Sequence, residues 1–206
     1  SFTKSQKKLS LVIADNKLYF NNSIGDISAV DINNGSLLWQ TPSQKSLIYE
    51  EAFSLKTSDL ITDKKSIFFS NNKNDFFSLD IENGIINWKQ KINSNLRPTF
   101  VDQLVFTVSN EGFLIIIDSK NGNILRITDV FEQFKKKKRK KIKPVGFILG
   151  VNDIYLTTNH GRLIIIDIIS GKIKSILKID NELISRPFVL NQDLYIIKNN
   201  SIIKLN

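Results

Sequence analysis

The stretch GFLIIIDSKNGNIL, residues 112–125, is apolar at one end and turn-rich at the other. It places Gly112, Asp118 and Gly122 in a fixed spacing: five residues before the aspartate and three after it. Such residues could hold a ligand or simply bend the chain, and the rest of the sequence decides between the two. Aligned on the aspartate, the pattern returns as GDISAVDINNGSLLW (25–39), NDFFSLDIENGIINW (74–88), GFLIIIDSKNGNILR (112–126) and GRLIIIDIISGKIKS (161–175). A fifth copy, NSIIKLN (200–206), ends where the aspartate would stand. The anchors Asp31, Asp80, Asp118, Asp167 and Asn206 lie 49, 38, 49 and 39 residues apart. A near-constant period of this length marks a repeat architecture, which takes precedence over any local motif.

The local physics of each copy is that of a hairpin. DINNG, DIENG, DSKNG and DIISG each sit between two apolar runs of strand length. Gly35, Gly84, Gly122 and Gly171 suit a position of positive φ, where a side chain would clash. Asp31, Asp80, Asp118 and Asp167 can accept hydrogen bonds from amides of their own turn. A metal ligand would not be copied into every repeat, so these residues are expected to bend the chain.

Two more apolar segments precede each hairpin. KLYFNN (17–22), SIFFSNN (66–72), LVFTVSN (104–110), DIYLTTN (153–159) and DLYIIKN (193–199) align as one strand. LSLVIA, LKTSDLIT, RPTFV, PVGFILG and RPFVL align as the strand before it. Each unit is therefore four short antiparallel strands, A to D, and four-stranded units at this period are the blades of a β-propeller. Blades stack face to face, which accounts for the continuous apolar runs FLIII and LIII. The expected organisation is one all-β propeller over residues 1–206, with blades near 9–41, 54–92, 96–130, 143–180 and 185–206. The last lacks its outer strand, and the N-terminal SFTKSQKK is poor material to replace it. The expectation is an open arc of about five blades from a ring of seven or eight, with sequence missing upstream of Ser1.

Composition narrows the chemistry. Hydrophobic content of 41% and charged content of 24% are ordinary for a globular chain, and no apolar run approaches the roughly 20 residues of a membrane-spanning helix. Cysteine is absent, which excludes disulfides, thiolate metal sites and a cysteine nucleophile. The net charge of +9 is concentrated in KKKKRKKIK (135–143), outside which the chain is nearly neutral.

AVDINNGSLLW (29–39) matches, with Asn34 for Thr, the A-x-D-x-x-T-G-x-x-x-W repeat, and SLDIENGIINW (78–88) matches at Asp80, Gly84 and Trp88. The chain thus resembles the propellers with pyrroloquinoline-quinone-type repeats. Later copies keep Asp and Gly but carry Arg126 and Ser175 in place of tryptophan. Within that superfamily, quinoprotein dehydrogenases hold the quinone with calcium beside a vicinal disulfide, whereas the BamB family has the same kind of ring without a cofactor. Lacking cysteine, the sequence looks more like the BamB family. That likeness implies a periplasmic, lipid-anchored, non-catalytic scaffold peripheral to the outer membrane, with the β-barrel assembly machinery as partner and no cofactor or metal. The alternatives are a C-terminal fragment of a quinoprotein dehydrogenase and a propeller that binds polyanions or a membrane surface.

Trp39 and Trp88, eight residues after their anchors on strand D, are expected to dock adjacent blades. His160, the single histidine, lies in the turn TTNHGRL, and without a second histidine or a cysteine it is read as an exposed turn residue. Arg97-Pro98 and Arg186-Pro187 open equivalent blades and are read as structural. The longer anchor intervals place insertions at 41–54 and 127–143, both in D-to-A connections. D-to-A and B-to-C connections leave a meandering blade on one side, so these insertions and His160 should decorate one face. Long loops are where partners bind. Ile48, Tyr49 and Phe53 of the first insertion, and Lys135, Lys136, Lys137, Lys138, Arg139, Lys140, Lys141 and Lys143 of the second, are the candidate partner-binding residues. The basic run reads either as a solvated loop or as an element attracted to an anionic membrane surface. Nucleic acid is disfavoured because aromatics are not interleaved with the charge.

Overall fold

The computed structural model describes residues 9–22, 25–43, 56–71 and 73–205. The chain is all-β and folds as a succession of antiparallel β-propeller blades. The first sheet runs β1 (Leu11–Ala14), β2 (Lys17–Asn21), β3 (Ile27–Asp31), β4 (Leu37–Thr41). The second runs β5 (Ile61–Thr62), β6 (Ser66–Asn71), β7 (Asp75–Asp80), β8 (Ile86–Gln90). The third comprises β9 (Thr99–Val101), β10 (Leu104–Val108), β11 (Phe113–Asp118) and β12 (Ile124–Asp129), and a short helix α1 (Lys136–Arg139) follows it. The fourth is β13 (Pro144–Leu149), β14 (Asp153–Thr158), β15 (Arg162–Asp167), β16 (Ile173–Lys178), and the fifth has three strands, β17 (Phe188–Leu190), β18 (Asp193–Lys198), β19 (Ser201–Leu205).

Turn chemistry makes each meander. Asp15-Asn16, Asp102-Gln103 and Asn191-Gln192 join strands A and B with positive φ at both residues, the two-residue hairpin whose twist matches that of the strands. The B-to-C turns are capped by the residue that closes strand B or follows it. Asn71 Oδ1 accepts from the amides of Lys73 and Asp75, and Thr158 Oγ1 from that of Arg162.

The middle strands of the second and third sheets are buried on both faces and the D strands are not. Four consecutive residues of β7 and of β11 are buried, whereas β4 has none buried. A continuous apolar run therefore marks a strand covered on both sides.

The chain divides into two compact units, Ser1–Thr107 with Ile116–Leu125, and Val108–Ile115 with Arg126–Asn206, so that β10, β11 and β12 contribute to both. In the first unit Ala14, Tyr19, Ile27 and Ala29 of the first sheet pack with Ile67, Phe69, Phe77 and Leu79 of the second. In the second, Leu163, Ile184 and Ile196 form a buried cluster joined by Tyr155, Leu194 and Leu205. One segment departs from the sequence expectation. LKTSDLIT reads as a strand, yet among its described residues only Ile61–Thr62 is regular, with an isolated bridge from Thr57 to Asn71. The Ser58 hydroxyl accepts the Ser70 amide in place of a backbone carbonyl, and a side chain substituted into the ladder interrupts it.

Candidate functional site

The recurrent aspartates are held by their own turns. Asp31 Oδ1 accepts from the Asn33 amide at 2.7 Å, Asp80 Oδ1 from Glu82 and Asn83, Asp118 Oδ1 from Lys120 and Asn121, and Asp167 Oδ1 from Ser170. In each copy the anchor carbonyl also accepts the amide of the turn glycine, at 2.8 to 2.9 Å. The residue before that glycine adds a second cap: Asn34, Asn83 and Asn121 accept through Oδ1, and Ser170 through Oγ. Asp167 is held well below the ordinary carboxylate range, first by the Ser170 amide, then by its hydroxyl and by Lys174. Among the described residues no group of three or more His, Cys, Asp or Glu side chains could hold a metal ion.

The turns of the second, third and fourth sheets are also the seats of residues from the preceding blade. Trp39 donates its indole N–H to the Ile81 carbonyl at 3.2 Å and lies on Gly84, while Thr41 Oγ1 donates to the Gly84 carbonyl at 2.7 Å. Beneath Trp39 is Tyr19, whose hydroxyl pKa is pushed up to about 12, first by burial and then by the charges of Glu82 and Asp15. One blade on, Trp88 donates to the Ser119 carbonyl at 2.8 Å and lies on Gly122, and Gln90 Nε2 donates to the Gly122 carbonyl. In the second unit Arg126 takes the tryptophan's place. Its guanidinium donates to the carbonyls of Ile168 and Ile169, and Gly171 lies against it and Thr128. An interblade role for Arg126 was missed because arginine does not resemble tryptophan, although it stands eight residues after its anchor in the same way.

The basic insertion is anchored on both sides of its charged run, while its lysines are exposed. Phe131 is fully buried, and its ring lies so close to Gly112 that a Cβ there would stand 2.1 Å from it. Arg139 of α1 pairs with Asp129 at the end of β12. Asn159, in the B-to-C turn of the fourth sheet, exchanges backbone and side-chain hydrogen bonds with Lys143, and its Nδ2 donates to the Lys141 carbonyl at 3.1 Å. This clamp seats the insertion beside His160. Phe134, Lys137, Lys138, Lys141, Ile142, His160 and Arg162 together line a cleft of about 340 Å³.

A family profile described as outer membrane protein assembly factor BamB matches residues 3–128. The chain belongs to this family. No curated protein matches it in sequence. Among solved structures, BamB from Moraxella catarrhalis is 15% identical with a TM-score of 0.55, covering 94% of this chain and 70% of its own. The Cps50 (Swd1) β-propeller domain of Myceliophteria thermophila is 12% identical with a TM-score of 0.69, covering 91% of this chain and 60% of its own. Quinohemoprotein alcohol dehydrogenase from Comamonas testosteroni is 12% identical with a TM-score of 0.63, covering 93% of this chain and 39% of its own. These three structures are longer, and the chain spans 70%, 60% and 39% of their lengths. At these identities the likeness concerns the fold alone.

Within the BamB family fold, the candidate residues separate. Lys137, Lys138 and Lys141 converge on the cleft, whereas Lys135, Lys136, Arg139, Lys140 and Lys143 are outside its lining. Ile48, Tyr49 and Phe53 lie outside the described residues. Phe134, Ile142 and Arg162 were not singled out from the sequence. Phe134 and Ile142 bracket the unbroken charged stretch 135–141, and a long loop with apolar residues at both ends signals anchoring at both ends. Arg97 and Arg186 are exposed, and the Arg186 stem covers Gly146.

Proposed function

We propose that this chain is a non-catalytic scaffold, a BamB-like component of outer-membrane β-barrel protein assembly acting in the periplasm. The family match carries this reading, and the use of the repeat residues supports it. The aspartates bond their own turn amides, the tryptophans grip the next blade, and the inserted loops are left to meet partners. The test is to purify the whole protein from its own cells after crosslinking and to deplete it in parallel. Co-purification of the β-barrel assembly machinery with a fall in outer-membrane β-barrel proteins is expected. Unchanged β-barrel levels with no machinery recovered would sink the proposal.

A second reading, part of a quinoprotein dehydrogenase, draws on the likeness to the Comamonas enzyme. The residues present fit that cofactor poorly. No cysteine exists for a vicinal disulfide, and the repeat carboxylates are engaged in their own turns. Stoichiometric binding of added quinone and calcium, with alcohol-dependent dye reduction, would reverse the choice.

A further inference from the structure

The cleft beside α1 has a composition that the scaffold reading does not use. Lys137, Lys138 and Lys141 reach it from the insertion, and His160 and Arg162 from the fourth sheet. No carboxylate lines it. Among the described residues, the ion pair of this basic run is that of Arg139 with Asp129, and Arg139 lies outside the lining. Phe134 and Ile142 supply an apolar wall.

The walls are fixed before any ligand arrives. Phe134 packs edge-on to the buried Phe131 at 6.0 Å, and Ile142 is itself buried. Arg162 Nη1 donates to the carbonyls of Asp180 at 2.7 Å and His160 at 3.1 Å, which orients its guanidinium. His160 Nδ1 lies 2.8 Å from Asn159 Oδ1. That oxygen is an acceptor, so Nδ1 carries the proton and the contact holds the ring in place. Holding four cations together with no acid among them opposes folding through mutual repulsion, and a bound anion would relieve it.

We propose that this cleft binds a phosphomonoester whose organic part rests on Phe134 and Ile142. A single carboxylate would neutralise one of four cations. A phosphomonoester brings about −1.5 to −2 charges and three strong acceptor oxygens, which suit ammonium groups and a guanidinium. A cleft of about 340 Å³ takes a phosphate with a small apolar or aromatic group. The same phosphate could belong to a free metabolite or to the head group of phosphatidic acid. The site is independent of the scaffold reading and stands or falls without it.

Phenyl phosphate is titrated calorimetrically into the whole protein, with phenol and inorganic phosphate as partial ligands. One saturable site is expected, with phenyl phosphate at least tenfold tighter than inorganic phosphate and phenol silent. In the double variant Lys138→Ala/Lys141→Ala, affinity should fall at least tenfold. In Lys135→Ala/Lys140→Ala, which removes equal charge outside the cleft, it should change less than twofold. Equal losses in the two variants would mean diffuse attraction and overturn the proposal, as would an absence of saturable binding to every probe. Sedimentation with phosphatidylcholine vesicles containing phosphatidic acid separates the sources. Vesicle binding that phenyl phosphate competes away identifies the lipid head group, and soluble binding alone identifies a free phosphomonoester.

Discussion

The two docked tryptophans and Arg126 solve one problem in two ways. Strand D of each of the first three sheets grips the glycine-bearing turn of the next blade at the same place in the repeat. Trp39 and Trp88 do so with a flat apolar ring and one N–H, and Arg126 with a flat cation donating to two carbonyls. What the repeat specifies is thus a shape and a donor, not a residue type. The energetics differ. A tryptophan ring excludes water over a large area, whereas a part-exposed guanidinium exchanges solvent hydrogen bonds for protein ones at a small net gain.

The largest expected effect separates these two solutions. Trp88 is 8% exposed, stacked on Phe76 at 5.9 Å and touching Phe68 at the same distance. Trp88→Ala should cost about 4 kcal/mol of stability by denaturant unfolding. A loss as small as that of Arg126→Ala would break the distinction.

The glycines beneath the rings offer a sharper pair. Gly35 and Gly84 share one conformation, with φ of +71° and +72°, but nothing lies within 4 Å of a Cβ on Gly35. On Gly84 that atom would stand 2.5 Å from the Trp39 ring and from Thr41 Oγ1. Gly35→Ala should cost about 1 kcal/mol, the strain of the left-handed backbone alone. Gly84→Ala should cost about 3 kcal/mol, since overpacking adds to the same strain. Equal losses would show that the ring moves aside freely.

Arg126→Ala should cost about 1.5 kcal/mol, read from the same unfolding curves. Arg126→Lys should recover little of it, because an ammonium cannot reproduce the planar fork on two carbonyls.

The smallest effect concerns pH. Because Asp167 stays ionised below its ordinary value of 3.8, its contribution is present above that value and is lost as pH falls beneath it. Asp167→Asn should therefore show a shallower fall in stability below pH 3.8 than the parent. An identical acid limb would remove Asp167 from the explanation.

Much of this was legible from the residues. A carboxylate, a side-chain cap and a glycine in five positions dictate a hairpin by interactions that span only the turn, so the blades could be counted without coordinates. Arg126 was illegible because its partners, the Ile168 and Ile169 carbonyls, are some 40 residues distant and assigned by the packing of blades. The basic run was half legible. Its charge was plain, and the meander placed the insertion and His160 on one side. That it is anchored depends on Phe131 meeting Gly112 and on the Asn159 clamp, which only folding brings about.

The sequence by itself determined the blades, because turn capping and short apolar runs act within a few residues of the chain. Only the tertiary structure decided which side chains seal one blade to the next and which cations converge on a cleft. Those pairings join residues that chain spacing leaves independent, and close packing of the sheets selects among them.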